Sequence, residues 1–389
     1  MNPSDVAQAR FLLSADGARE RAHEMLLLAQ TRRLADWRLD LSRLHVAADL
    51  TAETVRSNYP DLNVPFHARW RHFTASGRDL WAELEKPSDP QALGRAAFDL
   101  VIPSVLLDAG AGGSWRYRDA GTGAVLSRSE GLGVASLRLF QSGALSSDPD
   151  DPLRADALDR VDATMIAKAF QVSDDNPLAG LEGRAALLRR LGRTVGRPGA
   201  LFDIMATRAR RGRLPATVIL EVLLDALGPI WPGRLSLAGR PLGDCWRHPA
   251  MSGLVPLHKL SQWMAYSLIE PLQASGITVI HVDGLTGLAE YRNGGLFVDT
   301  GVLALRDPAE AGRAHPVDSP LVVGWRSLTV ALLDKLAPMV RERLDVTAQA
   351  FPLACVLEGG TWAAGRRIAA QLRPDMSPPI TVISDGTVF

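Results

Sequence analysis

The sequence predicts a mainly α-helical protein with a small β element, and three observations predict it. Apolar residues recur at three- and four-residue spacing over most of the chain. Helix start signals stand where these runs begin, and alternating or β-branched runs are few.

Taken in order, residues 18–31 place Ala22, Met25, Leu26 and Ala29 on one face. Thr51 is expected to cap a short helix carrying Val55, with Glu53 in its first turn. Asp89-Pro90 opens a longer helix through Leu93, Ala97, Leu100 and Val101 towards Leu107, with Asp at the cap and Pro at the first position. Further helices are expected over 153–170, 181–194, 216–227, 257–274, 327–344 and 361–372. Residues 115–118 and 125–128 flank Gly121-Thr122-Gly123 as a hairpin. The β-branched run 277–282 reads as a strand, and 297–305 fits either helix or strand.

The 389 residues carry 43 basic and 43 acidic side chains, so no basic field suggests a nucleic-acid or acidic-membrane partner. With 47% hydrophobic residues, the expected body is a single large helical domain over 1–389, with room for two lobes around a central cleft. No 18-residue apolar run suggests a membrane span, and the N-terminus lacks a secretory pattern, so a cytoplasmic location is expected. Cys245 and Cys355 are too few for a disulfide framework. The sequence carries no signal for an oligomeric state.

Polar residues cluster with aromatics in five places. The first holds His67, Arg69, Arg71 and His72 among Phe66, Trp70 and Phe73. Guanidinium forks match phosphate oxygens, while the alternative is a solvated basic segment pinned by aromatics. The second runs over 104–136. There Asp108 sits at a helix C-terminus, an unfavourable place for a carboxylate, ahead of Gly110, Gly112 and Gly113. Trp115 and Tyr117 share one side of the hairpin strand. Arg128, Ser129 and Glu130 then open the next helix, with Ser129 as the expected cap.

The third cluster aligns His258, Gln262 and Tyr266 on one helical face beside Lys259 and Trp263. It lines either a cavity or solvent. In the fourth, Asp283-Gly284 reads as a turn, and Glu290, Tyr291, Arg292 and Asn293 precede Gly294-Gly295. In the fifth, Thr361 is expected to cap a helix near Trp362, Arg366 and Arg367, an anion-friendly arrangement without the Lys-Ser/Thr of a P-loop. His67 and His72 lack a matched carboxylate, no HExxH spacing occurs and no G-x-S-x-G elbow occurs. Neither a metal nor a cofactor is therefore expected.

In order along the chain, YPDLNVPFHARWRHF, SVLLDAGAGGSWRY, RSEGLGVAS, VPLHKLSQWMAYSL, EYRNGG, EGGTWAAGRR and the terminal SDGTVF resemble the uracil-catabolism protein family, from about residue 45 to the end. The resemblance implies a part in a pyrimidine-degrading route that passes through a ribosylurea-type intermediate. LLDA at 106–109, the helix over 256–268 and EYR at 290–292 also resemble the queuosine-salvage N-glycosidases. That likeness implies a helical fold related to helix-hairpin-helix DNA glycosylases. The acidic residue of those enzymes falls here at Leu257, which cannot do acid chemistry, so another carboxylate must serve.

The expected reaction is hydrolysis of the N-glycosidic bond of ribosylurea or its 5′-phosphate to urea and a ribose or ribose phosphate. Positive charge builds on the ribose ring, so a carboxylate nearby lowers the barrier. Asp108, Glu130, Asp283 and Glu290 are the candidate catalytic acids. His67, Arg69, Arg71, His72, Trp115, Tyr117, Arg128, His258, Lys259, Gln262, Tyr291, Arg292 and Trp362 are the candidate substrate contacts, with Arg69, Arg71 and Arg128 expected on phosphate. The partner expected is thus a small ribosyl or ribosyl-phosphate ureide. Two alternatives stay open: a metal-assisted amidohydrolase acting on the ureido group, and a non-catalytic metabolite-binding protein of the same route.

Overall fold

A computed structural model describes residues 2–231 and 233–383, so the terminal SDGTVF motif lies outside the described residues. The fold is mainly helical, and its strands form short two-stranded pairs. The chain divides into two compact units. One comprises the residues up to His67 together with Arg234–Gln262 and His281–Ile383; the other comprises Ala68–Gly233 and Trp263–Ile280. Two of the sequence clusters, around residues 67–72 and 258–266, are therefore shared between the units.

The first unit is organised around the helix Pro320–Leu344, whose Leu, Val and Ala side chains are buried on nearly every face along its first half. It packs against the helices Ala15–Gln30 and Leu44–Asn58. Apolar burial at roughly 25 cal/mol per Å² is the main stabilising term for such a helix. Ser319 caps it by accepting from Val322 N, so it begins seven residues before the expected start at 327. The ambiguous 297–305 run divides: Tyr291–Asp299 is helix, and Leu303–Leu305 pairs antiparallel with Trp37–Leu39.

Thr51 is no cap. The helix begins at Leu44, after a 3-10 turn started by Asp40, and the Thr51 hydroxyl donates back to Ala47 O at 2.7 Å. The small residues Ala47, Ala48 and Ala52 carry its first buried turns, which weakens the apolar signal there. Thr361 is no cap either. Residues Val356–Thr361 form a π turn leading directly into the helix Trp362–Leu372, and the buried Thr361 hydroxyl bonds Asn293 Oδ1 at 2.8 Å.

In the second unit, Asp89 caps the helix Pro90–Leu106 by accepting from Ala92 N at 2.8 Å, as its start signals indicate. The expected helix over 153–170 is shorter. A 3-10 turn at Leu158–Arg160 precedes the helix Ala163–Ala169, which Asp162 caps. Leu181–Val195 and Ala216–Leu227 match expectation. The hairpin pairs Tyr117–Arg118 with Val125–Leu126, and Thr278–Ile280 pairs in parallel with Arg213–Pro215. The helix Arg128–Gln141 starts two residues earlier than a Ser129 cap implies. Ser127 stands at its start without a side-chain cap bond, and the Ser129 hydroxyl donates to Asp108 instead.

Candidate functional site

Each unit gathers its own set of polar side chains. In the second unit the set is built on Arg69, which is wholly buried. Its backbone N–H donates to Ser267 Oγ at 2.9 Å, which fixes the short 3-10 turn Arg69–His72. Gly133 permits close packing of that turn, since a Cβ there would lie 2.4 Å from His72 O. The guanidinium donates through Nε to Ser104 Oγ at 2.7 Å. Its Nη1 donates to Asp108 Oδ1 at 2.6 Å and to Ser129 O at 3.2 Å. The Trp263 ring lies under it at 5.6 Å, and the His72 ring packs edge-on against the same indole. The other nitrogen, Nη2, is buried without a hydrogen-bond partner. Desolvation pulls the Arg69 pKa down, opposed by the charges of Asp108 and Glu130.

This arrangement explains how Asp108 is tolerated at a helix end. Both its oxygens are engaged, one by Arg69 and the other by the Ser129 hydroxyl at 3.1 Å. The exposed carbonyls of that end are met by a second buried arginine, Arg184, which donates to Leu107 O and, at 2.8 Å each, to Ala109 O and Gly110 O. Burial brings Arg184 down to about 10, against the favourable charge of Asp108.

In the first unit the set is built on Glu290. It stands at the start of the helix Tyr291–Asp299 and accepts from Arg292 N at 2.8 Å and Asn293 N at 2.5 Å. Burial nevertheless raises its pKa, outweighing those bonds and the charges of Lys259 and His67. His67 is held by its N–H to Ala354 O at 3.0 Å and by Nδ1, 2.6 Å from Glu358 Oε2. A carboxylate oxygen accepts, so Nδ1 is the donor of this pair. The indole of Trp362 lies 5.9 Å from the His67 ring, with the Arg366 guanidinium 4.8 Å over it. Glu358 reaches His67 from the π turn, a deviation that often marks functional positions in helices. Its Gly359 and Gly360 let the backbone approach Val64 and Thr51, where a Cβ would sit 2.9 and 2.6 Å from side-chain carbons.

The remaining sequence candidates have structural surroundings. Arg71 forms a two-pronged ion pair with Glu270 at 2.6 Å to each oxygen. Trp115 is fully buried, donating Nε1 to Phe170 O and stacked with Tyr117. Asp283 pairs with Arg341 at 2.7 Å and accepts Leu353 N. Arg292 lies over the Tyr291 ring and donates to Met376 O at 2.8 Å. His258 bonds Leu12 O through Nε2 at 2.7 Å, and desolvation lowers its pKa. Gln262 accepts from Thr286 N at 3.3 Å. Both cysteine thiols are free, and burial pushes each up to about 12.

The family model described as "Protein of unknown function (DUF1688)" matches residues 11–389. The chain belongs to this family. It is 40% identical to "Protein urg3" of Schizosaccharomyces pombe over 393 residues, covering 97% of this chain and 98% of that one. It is 38% identical to "Uracil catabolism protein 4" of Lachancea kluyveri over 407 residues, covering 91% and 92%. The motif resemblance to the uracil-catabolism family thus holds along nearly the whole chain.

Within this family member, three side chains around the two sets were not singled out by the sequence reading. Glu358 stood inside the EGGTWAAGRR motif, and its partnership with a residue near 67 has no local signature. Arg184 looks like one more cation on an amphipathic helix. Asp244 forms a buried two-pronged pair with Arg326 at 2.8 Å and also accepts from Lys259 N, which fixes the start of the helix Lys259–Ala274. Its only sequence signal was an acid between Gly243 and Cys245.

Proposed function

We propose that this protein acts in uracil catabolism, the process for which its Lachancea kluyveri relative is named. We propose further that its reaction is hydrolysis of the N-glycosidic bond of a ribosylurea. The observation that carries the reading is Glu290, a buried carboxyl group whose pKa burial raises despite the charge of Lys259. Cleaving C1′–N expels a ureide nitrogen too basic to leave without a proton. A carboxyl group whose burial makes it hold its proton more tightly than an ordinary carboxylate can supply one.

In this reading Glu290 gives its proton to the departing nitrogen as the C1′–N bond breaks, and urea leaves neutral. Water adds to C1′ and passes its proton to His67 Nε2, the lone-pair nitrogen when Nδ1–H donates to Glu358. Return of that proton to Glu290 resets the site. Trp362 offers an aromatic wall for the sugar.

The test is incubation of the full chain with ribosylurea, followed by assay of urea and ribose. Equal release of both supports the reading, and Glu290→Gln then lowers turnover by about a hundredfold or more. Ammonia without urea would identify attack at the ureido carbon instead. Tight binding without any product would make the protein a metabolite-binding one.

A further inference from the structure

We infer that the second unit carries a binding site for a phosphate monoester, at the start of the helix Arg128–Gln141. This helix is 14 residues long, and Ser127 leaves its N-terminus without a side-chain cap. Such an end presents N–H groups and partial positive charge to an anion.

The independent observation is Arg69. It is completely buried, and Nη1 donates to Ser129 O, so its guanidinium stands at the first turn of this helix. Its Nη2 has no hydrogen-bond partner, although a buried donor of a charged group is costly to leave unsatisfied. A second nitrogen in the same condition is Nη1 of Arg128, the first residue of the helix. Arg128 is held at φ +53°, in the left-handed region that a non-glycine residue rarely occupies. Strain of that kind persists where surroundings or a ligand hold it.

Charge decides the class of ligand. Arg69 and Arg184 both feel Asp108, and Arg69 also feels Glu130. Arg128 forms no ion pair among the described residues. Three guanidinium groups against two carboxylates leave one positive charge over, in addition to the helix end. Asp108 already accepts from Arg69 and Ser129, and a further carboxylate from solvent would gain little from a single spare fork. A phosphate monoester, with three oxygens and nearly two charges, can take Arg69 Nη2, Arg128 Nη1 and helix N–H groups together. Arg71, expected on phosphate from the sequence, is spent on Glu270.

The site is testable without turnover, so its failure and that of the hydrolase reading are separable. Calorimetry on the full chain would compare ribose 5-phosphate, ribose and inorganic phosphate. Ribose 5-phosphate is expected to bind at least about tenfold more tightly than ribose. Arg128→Ala should lose about ten- to hundredfold for ribose 5-phosphate and nothing for ribose, with Arg128→Lys retaining part of the affinity. Inorganic phosphate binding as tightly as the sugar phosphate would identify the free ion as the source of the same group. Equal affinity for ribose and ribose 5-phosphate, with inorganic phosphate not binding, would overturn the site. Retention of full phosphate affinity by a folded Arg128→Ala would do the same.

Discussion

Nη1 of Arg69 lies 2.6 Å from Oδ1 of Asp108, with the guanidinium wholly buried and the carboxylate nearly so. Removing the acid leaves a buried cation whose other hydrogen-bond partners are the Ser104 hydroxyl, the Ser129 carbonyl and the His72 ring, all of them neutral or weak acceptors. Asp108→Asn is therefore expected to cost about 3–5 kcal/mol of stability. Urea denaturation read by tryptophan fluorescence would measure it. Replacing both partners, Arg69→Met with Asp108→Leu, should recover much of the loss, whereas a carboxylate needed only for chemistry would leave the single variant as stable as the wild type.

The raised pKa of Glu290 sets a direction for the pH profile. A proton donor is competent below its pKa, so kcat/KM for ribosylurea should fall as pH rises through that value. The cause is desolvation, which disfavours the charged form, and the same alkaline limb should be missing from the residual activity of Glu290→Gln. A limb that persists unchanged in the variant would assign it to another group.

Gly360→Ala tests the π turn. The new Cβ would lie 2.6 Å from Thr51 Cγ2 and 3.3 Å from Val55 Cγ2. A loss of about 1–3 kcal/mol is expected from the overpacking. Thr51→Ser, which removes the obstructing methyl group, should restore a good part of it in the double variant when both are measured by thermal melting.

Arg71→Ala should be nearly silent. Its pair with Glu270 is partly exposed on both sides, and such pairs contribute at most about 1 kcal/mol. Equilibrium denaturation together with ribose 5-phosphate titration would show a wild-type affinity; a tenfold loss for the phosphorylated sugar alone would return Arg71 to the anion site.

Asp99 gives a second pH signature, this time in stability. It is buried, and desolvation pushes it up to about 6 despite Arg197 at 2.6 Å and Gly199 N at 2.6 Å. The folded chain then holds this proton more tightly than the unfolded chain. This contribution is fully present below about pH 4 and is lost as pH rises to about 6, by up to about 3 kcal/mol. Comparing the pH slopes of wild type and Asp99→Asn isolates it; parallel slopes across that window would remove Asp99 as the cause.

Helices whose apolar face is long and whose start is marked were legible in the sequence. Asp89-Pro90 fixed one end of its helix because cap and φ restriction are local effects. Thr51 misled because a threonine can bond its own preceding turn as readily as cap a new one, and the alanines ahead of it hide a buried face. In the two polar sets, His67, Arg69, Asp108 and Glu290 were visible as residue types in unusual company. Their partners were not, since Glu358 lies far along the chain from His67 and only folding brings the two together. Arg69 and Arg71 look equivalent as letters; burial of one and a surface ion pair on the other separate them.

The strand Trp37–Leu39 finds its partner in Leu303–Leu305, across most of the chain. A ribosome adding about 5–20 residues per second makes that partner on the order of 15–50 s after the first strand appears. Through that interval the early helices of the first unit lack Pro320–Leu344, the helix that covers their apolar faces, and are open to chaperones and proteases. Ala68–Gly233 emerges meanwhile as one continuous run holding most of the second unit. Birth order thus runs opposite to completion order: the segment made first is the last to be sheltered.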